Sequence, residues 1–517
     1  MTDMEAFEAR PDGGFHRMKE IRDEHIDPSV LERVSLTFVR KNLVMPLKVK
    51  DGRLLVALAD HRSIFALNEL ERITGLPAEP VFVDEKQILG AINRFFDRLS
   101  GSAQEVIEGL NGESLDSIAT VWEEPKDLTD LTDEAPIIRL LNSLLFQAAK
   151  DRASDIHIEP YERDVEVRFR VDGVLYPVLS PPKILQDALV SRVKIMAGLD
   201  IAEKRLPQDG KIRLLIAGKD IYVRVSIIPT SYGERIVLRL LDRKAEIIAL
   251  QRLGLNEGQA ASLERLLSRN SGIILVTGPT GSGKTTTLYS ALNSINSTIR
   301  NIITIEDPVE YQLKGIGQVH VNPKIGLTFA HGLRSILRQD PDVIMVGEIR
   351  DRETAEIAIQ ASLTGHLVLS TLHTNDTASA VTRLVDMGIE PFLMASSLSG
   401  ILAQRLVRVL CVHCKKEYAP GPEEAKLFKS VAPALWRPEG CGRCFNTGYY
   451  GRTGIFEFLI PSSDMRPMIL KNQDSDTVKR YAVAKGMKLM MEDGIEKAAS
   501  GITSLEEVLR VTRDEGD

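Results

Sequence analysis

The sequence predicts a mixed α/β protein: a parallel-sheet, phosphate-binding core preceded by an α+β domain and a smaller module. Three observations carry this. GPTGSGKT fits the GxxxxGK[ST] loop from Gly278 to Thr285, with the apolar IILV leading in and the helix-compatible TTTLYSALNSI leading out. From about residue 250, GIILVTG, NIITIED, DVIMVGEI and HLVLSTLH alternate with helical segments and are apolar on both faces, as central parallel strands are. Upstream, DIHIEP, EVRFRVDG, KIRLLIAG, DIYVRVSIIP and RIVLRLLD are short strands around one helical segment, KILQDALVSRVKIMAGL, which reads as an α+β domain with a mostly antiparallel sheet.

The elements follow in order. Residues 1–28 are polar and read as an extension. Residues 29–100 form a small α/β module, with a strand in LLVALAD (54–60) and an amphipathic helix in EKQILGAINRFFDRL (85–99). Residues 101–131 read as an acidic linker: from 101 to 134 there are ten Asp or Glu and a single Lys. The α+β domain spans 132–245 and opens with the helical PIIRLLNSLLFQAAKDRA; the nucleotide core spans 246–400. A cysteine region covers 401–462, and helical segments fill 463–517.

Bulk properties narrow the function. The chain has 517 residues, 43% apolar and 26% charged, as soluble multidomain proteins do. A formal net charge of −7 and 5% aromatics argue against a protein that grips nucleic acid along a broad surface, though not against a local basic channel. No apolar run approaches the roughly 18–20 residues of a spanning helix. The acidic MTDMEAFEARPDGG does not read as a signal peptide. A cytoplasmic protein that reaches a membrane through partners is expected.

In the loop, Gly278, Gly281 and Gly283 let backbone N–H groups turn toward phosphate oxygens, and Pro279, Thr280, Ser282 and Thr286 complete the cradle. Lys284 supplies positive charge to the outer phosphates, and Thr285 can hold Mg²⁺ through its hydroxyl. DVIMVGE (342–348) resembles a Walker B strand with Gly347 where an Asp usually stands; Glu348 is the candidate general base. TIEDPVEY brings Glu306, Asp307 and Glu310 to the end of another strand, where carboxylates can orient water or hold Mg²⁺; Asp307 before Pro308 also fits a helix N-cap. In TGHLVLSTLHTND, His373 stands at the strand end where a γ-phosphate would be sensed, and His366 at its start. All four cysteines lie in CVHC (411–414) and CGRC (441–444), with 26 residues between the pairs. Cys411, Cys414, Cys441 and Cys444 can complete a closed tetrahedral zinc site, structural because it leaves no position for water; His413 is surplus to it.

GPTGSGKTTT, TIEDPVEY, LRQDPDVIMVGEIRD and TGHLVLSTLHTND, in that order, closely resemble the Walker A, Asp box, Walker B and His box of the secretion-superfamily hexameric ATPases, and ASDIHIEP with RFRVDG resembles their second N-terminal domain. The resemblance runs from about residue 132 to the end. It implies a RecA-like ATPase core after a PAS-like α+β domain, ATP with Mg²⁺ as ligand, a homohexamer, and arginines supplied from the N-terminal sheet. Alternation puts Arg224 opposite Ile221, Val223 and Val225, and Arg235 and Arg239 opposite Ile236, Leu238 and Leu240, placed to reach a phosphate; a solvated basic face is the alternative. The cysteine insertion resembles the metal-binding subdomain of extending motors, which retraction relatives lack. An extending motor is therefore expected, and the length, with one compact module before the linker, favours a type II secretion motor, driving pseudopilus assembly through a membrane platform (F) protein and docked by residues 29–100 on an inner-membrane (L) partner. Type IV pilus assembly is the alternative. Residues 29–100 show no clear match to the RLG and LVxxG pattern of related modules that bind cyclic di-GMP. A nucleic-acid translocase and a nucleotide-regulated scaffold without turnover are readings from other classes.

Overall fold

The computed structural model of the chain divides into two compact units, residues 1–244 and 245–517. It describes residues 136–216, 219–242, 247–428 and 433–513, most of 42–88, and shorter stretches between Phe7 and Ala91. The expected linker at 101–131 and most of the expected helix at 85–99 lie outside the described residues.

In the first unit, strands β1 (Phe7–Glu8), β2 (His16–Met18), β3 (Val44–Lys50), β4 (Arg53–Leu58) and β5 (Ala78–Phe82) form one sheet in the order β1-β2-β5-β4-β3. Helix α1 (Phe65–Thr74) connects β4 to its parallel neighbour β5 and ends at Gly75, whose φ of 72° is cheap only for glycine. Val44, Met45, Leu54, Val56, Leu58, Leu70 and Val81 are fully buried between them. The sheet begins before the boundary expected at residue 29: β2 pairs with β5, and Met18, Ile21 and Ile26 are buried. Strands of two and three residues carry too little alternation to be seen in a sequence.

The α+β region of the same unit contains α2 (Pro136–Lys150), β6 (Asp155–Pro160), β7 (Val165–Val171), β8 (Val174–Leu179), α3 (Gln186–Ala197), β9 (Gln208–Ile216), β10 (Lys219–Thr230) and β11 (Gly233–Asp242). Its six-stranded sheet is antiparallel in the order β8-β7-β6-β11-β10-β9. Helices α2 and α3 cover the face carrying Ile156, Phe169, Val223, Val225 and Leu238. The opposite face carries Arg168, Arg170, Arg224, Arg235 and Arg239, as period-two alternation requires.

The second unit is built from α4 (Glu257–Leu267), β12 (Gly272–Thr277), α5 (Lys284–Ile295), β13 (Ile302–Glu306), β14 (Gly317–His320), α6 (Phe329–Ile336), β15 (Val343–Val346), α7 (Arg352–Leu363), β16 (Leu367–Leu372), α8 (Thr377–Asp386), α9 (Pro391–Ser397) and β17 (Leu398–Leu410). A small hairpin follows, β18 (Lys416–Tyr418) and β19 (Leu435–Arg437) with α10 (Pro422–Ala425) between them, then β20 (Tyr449–Leu459). Four helices close the chain: α11 (Arg466–Leu470), α12 (Ser475–Ala484), α13 (Met490–Ala499) and α14 (Leu505–Thr512).

The central sheet has the order β14-β13-β15-β16-β12-β17-β20; only the last pair is antiparallel. Separate apolar cores fill its two sides. Strand β17 crosses the boundary expected at 400/401, and β20 returns beside it. The cysteine segment is thus an excursion between two strands of the central sheet. No helix among the described residues is long and apolar enough to cross a membrane.

Candidate nucleotide site and metal centre

Because β13, β15, β16 and β12 are parallel, whatever follows each of them emerges at one edge of the sheet. The Gly278–Thr285 loop follows β12, Glu306 ends β13, Glu348 follows β15 and His373 follows β16. Thr277 and Thr374 stitch the two nearest strand ends together: the Thr374 N–H donates to Thr277 Oγ1 at 2.9 Å, and the two hydroxyls are 2.7 Å apart. This fixes His373 beside the loop.

The loop is shaped by what lies beneath it. At Gly278, with φ of 148°, a Cβ would stand 2.3 Å from the Gln404 carbonyl oxygen; at Gly283, with φ of 87°, it would stand 2.8 Å from Gln404 Nε2. Only glycine fits either place. Gln404 is buried on β17 and accepts from Thr287 Oγ1 at 2.6 Å, so it braces both the loop and the first turn of α5. No sequence signal marked it, because β17 itself was not recognised as a strand.

Lys284 is buried, and its Nζ donates to the carbonyls of Gly278 at 2.8 Å and Pro279 at 3.0 Å. Burial pushes its pKa down to about 8, while the negative charge of Glu348 pulls it up. A buried cation held by neutral carbonyls gains strongly from an anion brought beside it. Thr285 is exposed at the start of α5, and the Ser282 hydroxyl is buried in the loop without a partner.

Glu348 is nearly buried, with Arg350 Nε 2.6 Å and His373 Nε2 3.3 Å from its Oε2. The structure therefore joins two of the expected residues and adds Arg350, which the sequence reading passed over in GEIRD. His366 is elsewhere: its Nδ1 lies 3.0 Å from the Ala361 carbonyl at the C-terminal end of α7, the place of a helix-capping residue.

The three carboxylates after β13 separate. Glu306 is buried and both oxygens are engaged, Oε1 accepting from Thr304 Oγ1 at 2.6 Å and Gln318 Nε2 at 3.1 Å, Oε2 from the Tyr289 hydroxyl. A carboxylate so held is poorly placed to take a proton from water. Asp307 is exposed, and no helix starts after Pro308, so the N-cap alternative does not hold. Glu310 is half-buried, and its backbone N–H donates to Tyr289 Oη at 3.3 Å.

Arg224 and Arg239 stand opposite each other in the β10–β11 register of the other unit. Arg239 Nε is 2.8 Å from Asp155 Oδ1, and Arg235 pairs with Glu159; both carboxylates are buried.

The four cysteines converge. Cys411 and Cys441 sulfurs are 3.9 Å apart, Cys414 and Cys444 3.7 Å, Cys441 and Cys444 3.7 Å, and all lie within 4.8 Å of one another. A tetrahedron with Zn–S bonds of about 2.3 Å spans roughly 3.8 Å between sulfurs, so the set fits zinc. The spacing is far from the roughly 2.05 Å of a disulfide, and all four cysteines are free. Backbone N–H groups of Cys441 and Gly448 donate to Cys444 Sγ at 3.2 Å, orienting it as a ligand. His413 stays outside the set, against Arg443.

A family model described as "Type II/IV secretion system protein" matches residues 130–510, and one for the MshEN domain matches 17–102. The second match begins well before the expected module boundary, in agreement with β2. The chain is 51% identical over 455 residues to the type II secretion system protein E of Pseudomonas aeruginosa, covering 87% of this chain and 90% of that protein. It is 50% identical over 457 residues to the type II secretion system ATPase E of Vibrio cholerae, covering 87% and 91%. It is 56% identical over 416 residues to the P. aeruginosa type II secretion system protein HxcR, covering 80% and 86%. Among solved structures, the ATPase DotB of Yersinia pseudotuberculosis superposes with a TM-score of 0.54 at 21% identity, over 72% of this chain and 93% of that one, a likeness of fold.

Proposed function

This chain belongs to the type II/IV secretion system protein family, and from that premise we propose that it is the ATPase of a type II secretion system, hydrolysing ATP to drive pseudopilus assembly and protein export. The observation that carries the hydrolytic part is the meeting of Glu348, His373 and Lys284 at one sheet edge. Relatives at 50–56% identity bear type II secretion names, which favours this reading over pilus assembly.

In this reading the loop's N–H groups and Lys284 bind the β- and γ-phosphates. Glu348 takes the proton of the attacking water. His373 hydrogen-bonds the γ-phosphate and, through Glu348, reports its presence to β15. Thr285 would hold Mg²⁺, with Glu310 and Asp307 near enough in sequence and edge position to orient its water ligands; the ion would neutralise charge between the β- and γ-phosphates. Arg224 and Arg239 are assigned to phosphate charge, supported by their shared place on a polar sheet face. The four cysteines hold a structural zinc.

The test is ATP binding and turnover by the purified full chain, with Lys284→Ala as control. Hydrogen bonds to charged groups contribute about 1.5–3 kcal/mol, so the ATP Kd should rise roughly 10- to 100-fold. Binding should also weaken with pH in the wild type. Free Lys284 is protonated below about 8 and loses its proton above it, whereas bound phosphate holds the proton on. Kd should therefore climb above pH 8 with a slope approaching tenfold per unit. A Kd flat to pH 10, or an unaltered Kd in Lys284→Ala, removes the assignment.

A homohexamer acting in the cytoplasm, recruited to the inner membrane when residues 29–100 dock on a membrane partner, completes the proposal; no nucleic acid takes part. Deleting residues 1–100 should leave ATP binding intact and abolish membrane fractionation in cells containing the secretion apparatus. Normal fractionation of the shortened chain would move the docking surface elsewhere.

A further inference from the structure

Tyr289 was not among the expected site residues, yet its side chain is wholly buried five positions after Lys284 on α5. Its hydroxyl donates to Glu306 Oε2, receives the Glu310 N–H at 3.3 Å, and lies 3.5 Å from Gln318 Nε2. The ring packs edge-on against Tyr311, centroids 4.6 Å apart at 83°. We propose that Tyr289 is a positioning residue for hydrolysis: its hydroxyl fastens the phosphate-loop helix to the 306–310 segment and so sets where Glu310 stands. The proposal rests on the reading of the site as an ATPase centre.

Two features separate this from a merely satisfied core tyrosine. Glu306 uses Oε1 for its own neighbours, Thr304 and Gln318, and keeps Oε2 for the helix that begins at the phosphate loop. The Glu310 N–H donates to the tyrosine hydroxyl, so removing that oxygen takes away a contact that helps to hold the backbone at Glu310. Any shift of α5 as the loop closes on phosphate is thereby carried to Glu310. Burial and the hydrogen bond to Glu306 hold the phenol well above its ordinary pKa, so it remains a neutral donor at every working pH.

Tyr289→Phe keeps the ring and removes only the hydroxyl. ATP affinity should stay within about threefold, because no phosphate contact is altered. The kcat should fall roughly 10- to 100-fold, the range expected when a group that orients the site is misplaced by about 1 Å. Glu306→Gln should show the same split, and the double variant should be no slower than the slower single one, because both changes act through one contact. A kcat within twofold of wild type, lost ATP binding, or multiplied losses in the double variant each overturns the proposal. Failure of the ATPase reading is distinguishable: there the unmodified chain itself would show no ATP turnover.

Discussion

Glu348→Gln should bind ATP as the wild-type chain does and hydrolyse it roughly 10²- to 10⁴-fold more slowly, the usual contribution of a positioned base. The amide has the shape of the acid but cannot accept a proton. The carboxylate lies at the C-terminal edge of β15, one oxygen shared between Arg350 at 2.6 Å and His373 at 3.3 Å. In the proposed reading its other oxygen is the one that takes the proton of the attacking water. Arg350 holds one oxygen of this carboxylate in place, so Arg350→Ala should give a smaller loss of the same kind. The charge of Glu348 also supports the ammonium of Lys284. In Glu348→Gln the alkaline weakening of ATP binding should therefore begin at lower pH, a readout independent of catalysis. Single-turnover hydrolysis close to the wild-type rate would exclude Glu348 as the base and turn attention to Glu310. Glu306, with both oxygens engaged, is a weaker replacement.

Much of this site is legible without coordinates, for a physical reason. Phosphate binding at the end of a parallel strand needs glycines at fixed offsets, a lysine and a hydroxyl, and few sequences satisfy that spacing by accident. Parallel strands buried on both faces read as short apolar runs, so β12, β13, β15 and β16 are visible, and the candidate site residues follow at their C-terminal ends. What escaped has the opposite character. Tyr289 and Gln404 act through hydroxyl and amide contacts to residues distant in sequence, and neither belongs to a motif. Strand β17, LSGILAQRLVRVL, mixes small, polar and charged residues because one edge carries β12 and the other β20 while its far end leaves the core. Its polar positions hid it as a strand, and with it the two sheet strands between which the cysteine insertion leaves and returns. Glu306 and His366 have the right chemistry in the right motif, and only packing shows that one has both oxygens engaged and the other sits at a helix end.

Removing zinc should unfold the cysteine segment and loosen the last two helices while the phosphate loop still binds ATP. Among its described residues, the segment between β17 and β20 has almost no apolar core of its own. Leu435, with Tyr418, Leu427 and Phe428 around it, packs on Ala498, Leu505 and Val508 of α13 and α14. The Lys415 ammonium donates to the Gly501 carbonyl at 2.8 Å and lies over the Trp436 ring, which ties the same helices to the segment. These helices are also held from the sheet: Glu507 is buried between Arg408 at 2.8 Å and Arg510 at 2.7 Å, and Asp493 accepts the Phe456 N–H at 2.9 Å. Structural zinc contributes an apparent 10–16 kcal/mol in small finger peptides, more than so small a core can supply. Its loss should therefore open residues 411–448 completely, whereas the sheet-side contacts keep α13 and α14 partly in place. Cys444→Ser is the sharper variant, because Cys444 is buried and its sulfur takes two backbone N–H groups that a weakly ligating hydroxyl would hold without the metal. Elemental analysis should find one zinc per chain in the wild type and well under one in Cys444→Ser. Hydrogen exchange should lose protection first across 411–448, then at 490–512, with the β12–α5 region unchanged. Full protection of 411–448 in metal-free protein would mean that packing, not zinc, holds the segment. Loss of ATP binding in step with zinc would mean that the excursion supports the phosphate loop through β17 and Gln404, and is no separate structural unit.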